Sequence, residues 1–107
     1  MQRFGQIIKV KPAELEAYKS LHKNVWPGVL KTIKDCNIRN YSIYYKDGFL
    51  FSYYEYTGND YNSDMSKMAK DETTLKWWEL TTKMQEPLET RAAGEWWAKM
   101  EEVFHQE

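Results

Sequence analysis

Two runs of sheet-forming residues, separated by Asp47-Gly48, constrain this chain more than any other feature. Residues 38–46 read Ile-Arg-Asn-Tyr-Ser-Ile-Tyr-Tyr-Lys and residues 49–56 read Phe-Leu-Phe-Ser-Tyr-Tyr-Glu-Tyr. Both are rich in aromatic and β-branched side chains, which fit a pleated, half-buried surface. Asp-Gly between such runs marks a two-residue hairpin turn, because both central residues of that turn need positive φ. Alternation places Tyr41, Ile43 and Tyr45 on one face of the first strand and Asn40, Ser42 and Tyr44 on the other. Glu55 sits in the second strand, where a carboxylate could face a ligand. A paired or solvent-facing charge is the simpler reading.

The segments on either side extend this hairpin into a sheet. Residues 2–10 read as a strand with Phe4, Gln6, Ile8 and Val10 on one face. Pro12, Glu14 and Glu16 suit the start of a helix over about 12–23, and a second helical piece runs from Trp26 or Pro27 to about Cys36. After the hairpin, Asn59 or Asp60 caps a helix with Met65, Met68 and Ala69 inward. Lys70-Asp71 interrupts it, and a further helix over about 72–84 carries Leu75, Trp78 and Thr82 on one stripe. A polar loop, 87–95, leads through Trp96-Trp97 to a last strand at about 100–104. The order strand, helix, strand, strand, helix, strand is that of an α+β, ferredoxin-like split β-α-β sandwich spanning residues 1–107 as one domain. Such a sheet has one face free of helices. Here that face is aromatic, so two copies packed face to face would bury it.

Charge and cysteine content exclude several classes. Fifteen basic against sixteen acidic residues leave a formal charge of −1, which gives no electrostatic grip on nucleic acid or an acidic membrane. No apolar run reaches the length of a membrane span, and the N-terminus enters a strand pattern without a signal sequence. Cys36 is the one cysteine and cannot form an internal disulfide. These features lead to the expectation of a cytoplasmic protein. Cys36 itself reads as a small packed residue near a helix end.

Chemistry concentrates around Tyr18-Lys-Ser-Leu-His-Lys-Asn-Val-Trp-Pro-Gly28. Leu15, Tyr18, Leu21, His22 and Val25 recur at spacings of three and four, so His22 shares an inward helical stripe with Tyr18. An imidazole titrates near neutrality, and here it lies beside a phenol. On these residues alone, a buried histidine bonded to the backbone is the simpler reading. His105, in the tail, reads as solvated. There is no metal-ligand cluster, Gly-rich phosphate loop, dinucleotide fingerprint or serine elbow. Trp77 and Trp78 are adjacent, hence ~100° apart on a helix, and cannot both face one core. At least one lines an edge, an interface or a pocket. An inward histidine, nearby tyrosines and paired tryptophans suit proton transfer on a small uncharged ligand such as a sugar.

In that setting the chain resembles the L-rhamnose mutarotases over nearly its whole length. The resemblance rests on Tyr18-Lys-Ser-Leu-His22, Val25-Trp26-Pro27, Asn40-Tyr41-Ser-Ile-Tyr44, Trp77-Trp78 and Glu102-Val103-Phe104, in that order. It implies a ferredoxin-like dimeric α/β barrel, a homodimer that interconverts the anomers of L-rhamnose with no cofactor and no metal. It further implies His22 as proton donor, with Tyr18, Tyr41, Trp77 and Trp78 contacting the sugar. The second tryptophan pair, Trp96-Trp97, departs from the pattern and leaves the rim of the pocket, and so the sugar, open. Other deoxy sugars such as L-fucose stay in play. A cofactor-independent monooxygenase on the same scaffold and a non-catalytic sugar-binding module are the readings from other classes.

Overall fold

The computed structural model describes residues 1–107. Its elements in chain order are β1 (Gln2–Val10), a 3-10 turn (Pro12–Glu14), α1 (Leu15–Lys23), α2 (Pro27–Asp35), β2 (Ile38–Lys46), β3 (Phe49–Tyr56), α3 (Tyr61–Met68), α4 (Glu72–Met84), β4 (Gln85–Glu86) and β5 (Ala98–Met100). The sheet is antiparallel in the order β2-β3-β1-β4, with β5 also on β1. This is the expected α+β, ferredoxin-like arrangement. Asp47 (φ 50°) and Gly48 (φ 89°) both hold positive φ, which joins β2 to β3 by a primed turn whose twist matches the strands. Asp60 caps α3 by accepting from the Ser63 N–H, and Asp71 caps α4 by accepting from the Thr74 N–H.

A bulge at Asn40 decides which side chains of β2 face inward. Ile38 pairs with Tyr56 and Arg39 with Glu55, but Ser42 then pairs with Tyr53, so β2 carries one extra residue. Asn40 takes that residue's left-handed conformation at φ 51°, which asparagine tolerates better than most residues. The slip lets Ile38, Tyr41 and Ile43 all reach the helix-covered face, although strict alternation would separate Ile38 from the other two.

The core lies between the sheet and the helices as two clusters. Ile8, Val10, Leu50 and Tyr18 form one, flanked by Leu15, Ile43, Met84 and Trp97. Ile38, Tyr54 and Tyr56 form the other, flanked by Phe4, Ile33, Tyr61, Met65 and Met68. Each fully buried side chain of this kind contributes ~1.5–3 kcal/mol of apolar burial. Between Phe4 and Ile8, the inner position of β1 is Gln6, which lines a cavity rather than filling it. Above that cavity α2 and α4 approach closely at Gly28. A Cβ there would lie 2.9 Å from the Thr73 methyl, so glycine sets the helix spacing.

Three local expectations are corrected. The buried stripe of α4 is Thr74, Trp77 and Thr81, one residue earlier than Leu75, Trp78 and Thr82. Thr74 and Thr81 are buried, while Leu75 and Trp78 remain exposed. Ala69 is exposed as well. The last strand is Ala98–Met100, not 100–104. Beyond Met100 the backbone ladder ends, and a side-chain ion pair, Arg3 to Glu102 at 2.9 Å, links the chain to β1. Val103 and Phe104 are exposed.

The edge of β1 is filled in two pieces. Lys9 and Val10 pair with Glu86 and Gln85, whereas Gly5 to Ile7 pair with Met100 to Ala98. Residues 87–97 therefore leave the edge and return to it. Pro87, which has no N–H for the ladder, begins the departure.

Candidate active site

His22 occupies the last turn of α1, directly before the Trp26-Pro27 break between α1 and α2. Its ring stacks on Tyr18 at 4.2 Å between centroids and meets the edge of Trp77 at 5.2 Å. Trp26 packs edge-on against the same indole at 5.1 Å. The His22 Nδ1 lies 2.8 Å from the Tyr18 carbonyl oxygen. A carbonyl only accepts, so Nδ1 carries the proton and donates. That bond fixes the tautomer and leaves Nε2 with a free lone pair. Burial holds the His22 pKa below its ordinary value, opposed in part by the bond to Tyr18. The imidazole is thus neutral at pH 7, with a basic nitrogen available.

A cavity of about 350 Å³ opens beside it, walled by Tyr18, His22, Val29, Ile33, Tyr41, Ile43, Trp77, Trp78, Thr81, Gln85 and Trp97, among others. A second cavity of about 370 Å³ shares Val29, Ile33, Tyr41, Trp77, Trp78, Thr81, Gln85 and Trp97 with it, and extends toward Met65, Met68 and Trp96. The volumes fall in the range of small-molecule sites. No carboxylate, lysine or arginine lines either one. Their titratable groups are His22 and three tyrosines. Tyr18 has its pKa raised by burial, as does Tyr54, and each phenol stays neutral. The Tyr41 hydroxyl is pushed up too, by burial first and then by neighbouring Tyr18 and Tyr61, although the residue as a whole is exposed. No group of three His, Cys, Asp or Glu side chains clusters in a way that could hold a metal ion.

All five residues singled out in the sequence, Tyr18, His22, Tyr41, Trp77 and Trp78, line the first cavity. The adjacent tryptophans divide as the helix requires: Trp77 is buried and Trp78 is exposed. Glu55 lies outside the site. It pairs with Arg39 in register and accepts hydrogen bonds from Asn40 and Tyr53, on the sheet face away from the helices. The sequence reading missed Thr81 and Gln85. They continue the spacing of three and four that runs Thr74, Trp77, Thr81, Gln85, and that stripe was the available signal. Trp97 also lines the wall, and Trp96 borders the second cavity.

Residues 3–106 match the family model described as L-rhamnose mutarotase. The chain belongs to the L-rhamnose mutarotase family. The L-rhamnose mutarotase of Sinorhizobium fredii is 29% identical over 108 residues, covering 98% of this chain and 98% of that one. That of Oceanobacillus iheyensis is 32% identical over 80 residues, covering 73% of this chain and 74% of its own. The crystal structure of an L-rhamnose mutarotase from Formosa agariphila aligns over 100% of both chains with a TM-score of 0.77 at 24% identity, a likeness of fold. Enzymes of the L-rhamnose mutarotase family are isomerases of a sugar anomer, and an uncharged cavity holding one neutral imidazole is chemically suited to that task. No helix is long and apolar enough to cross a membrane.

Proposed function

We propose that this chain is an L-rhamnose mutarotase in which His22 carries the proton. The observation behind this reading is the His22 ring, fixed through Nδ1 with Nε2 free, in a cavity without charged walls. Anomers exchange when the pyranose opens to the aldehyde, turns about C1–C2 and closes again. Opening moves one proton from the anomeric hydroxyl to the ring oxygen. Both oxygens sit on C1, so one nitrogen can reach both. Neutral His22 takes the hydroxyl proton at Nε2. The O–H electron pair becomes the carbonyl π bond and the C1–O5 pair stays on the ring oxygen. The imidazolium then returns its proton to that oxygen, and His22 ends as it began. Positioned acid-base help of this kind is worth ~10²–10⁴-fold.

The cavity also supplies recognition. Tyr18 and Tyr41 hydroxyls meet sugar oxygens, and the two indoles, Trp77 and Trp78, offer faces for the sugar C–H bonds. Val29, Ile33 and Ile43 form an apolar wall suited to the methyl at C6. The reading takes residues 1–107 as one mutarotase domain, acting in the cytoplasm as a homodimer. Support for the dimer comes from the sheet face away from the helices, where Ile7, Phe49, Phe51 and Tyr44 have no helix over them.

Saturation-transfer NMR on L-rhamnose tests the function directly, because it reads anomer exchange without a coupling enzyme. Added protein should raise the exchange rate of L-rhamnose, do so less for L-fucose, and leave D-glucose nearly unchanged. A rate for L-rhamnose equal to that in buffer would overturn the reading.

A further inference from the structure

We propose that Gln85 and Trp96 are positioning residues that aim the Tyr18 hydroxyl proton into the sugar cavity. The inference rests on the function proposed above and extends it to residues outside the five already named. Trp96 Nε1 donates to Gln85 Oε1 at 2.8 Å. An indole N–H can only donate, so the amide oxygen must face it. The amide nitrogen is thereby turned toward Tyr18, and Nε2 donates to the Tyr18 hydroxyl oxygen at 3.2 Å. The phenol accepts from Gln85 and makes no other hydrogen bond within the protein, although Tyr18 is only 4% exposed. Its own proton therefore has no acceptor except what enters the cavity that Tyr18 lines.

The direction of the chain is set at its far end. A donor-only indole orients the amide, the amide orients the phenol, and the phenol presents a proton beside His22. In the proposed reaction that proton meets the ring oxygen as negative charge develops there, with no reorganisation at the moment of bond breaking. The arrangement also gives the segment 87–97 a task. Gln85 stands where the chain leaves the edge of β1, and Trp96 stands just before it returns at Ala98. The Trp96 to Gln85 bond closes the base of that excursion and ties it to the site.

Gln85→Glu tests the polarity with the least change of shape. An ionised carboxylate accepts from both neighbours, so the Tyr18 proton turns away from the sugar. At pH 8, kcat/KM for L-rhamnose should fall about tenfold, the size of one hydrogen bond. The ratio of variant to parent should recover as pH falls toward 5, because a protonated carboxyl donates to Tyr18 as the amide does. Trp96→Phe adds no charge and keeps the ring, and it should cost several-fold. In a Tyr18→Phe background neither substitution should reduce the rate further. Equal losses with and without the Tyr18 hydroxyl, or a parental rate in Trp96→Phe, would overturn the proposal. The Trp96 indole N–H resonance reads the bond without substrate and should move and exchange faster with solvent in Gln85→Ala. An unchanged resonance would also overturn the proposal, whereas failure of the parent to accelerate L-rhamnose would overturn only the function.

Discussion

His22→Asn separates the chemical role proposed for this residue from its packing role. The substitution removes the Nδ1 bond to the Tyr18 carbonyl and the aromatic contacts with Tyr18 and Trp77. The bond is worth about 0.5–1.5 kcal/mol, and each aromatic contact about 0.5–1.5 kcal/mol beyond its area. A loss of about 2–3 kcal/mol lowers the melting temperature by roughly 10–20 °C in a chain this size. Against a typical stability of ~5–15 kcal/mol the variant stays folded at 25 °C. Loss of the proton carrier should meanwhile slow exchange by ~10²-fold or more per folded molecule. The pH profile gives a second signature. The proposed mechanism needs the neutral ring, and burial holds its pKa down. The parental rate should therefore fall on the acid side, with a midpoint below the ordinary histidine value of about 6.5. That limb should vanish in the variant. Saturation-transfer NMR from pH 5 to 8, with circular dichroism melts on the same samples, supplies both readings. A folded His22→Asn protein that exchanges anomers at the parental rate and keeps the acid limb would refute the reasoning.

Three further outcomes are expected. Trp78→Ala should weaken sugar-dependent quenching of tryptophan fluorescence with little change in melting temperature, whereas Trp77→Ala, at a buried position, should cost ~3–5 kcal/mol; similar melts for the two would count against this division. Light scattering should give twice the 12.9 kDa chain mass at micromolar concentration, and charging the open sheet face with Phe51→Lys should yield monomer. Asp64 accepts from Tyr56 and Asn37 and pairs with Lys67, which holds its pKa down to about 2. With a folded pKa below the unfolded one, its contribution is present above about pH 4 and is lost as pH falls toward 2. Urea midpoints should show that extra acid sensitivity in the parent and lose it in Asp64→Asn.

Local pattern carried much of this protein. Asp47-Gly48 set the hairpin because its backbone demand is met within two residues. Periodicity put His22 on the inward stripe beside Tyr18, and the helical angle between neighbours required Trp77 and Trp78 to part. The five singled-out residues that line the first cavity were legible because each follows from spacing within one element or from resemblance along the chain. Tertiary structure decided the rest. Trp77 went inside, packed against His22 and Trp26, contacts between distant segments. The bulge at Asn40 shifted β2 by a residue, so alternation alone could not put Ile38 and Tyr41 on one face. Charge at Glu101 and Glu102 was compatible with a strand or with a solvated tail, and the register with β1 ended the ladder at Met100. The chain from Trp96 through Gln85 to Tyr18 joins residues far apart in sequence. Hydrogen bonds of that kind depend on where an excursion returns to a sheet edge, which no local propensity encodes.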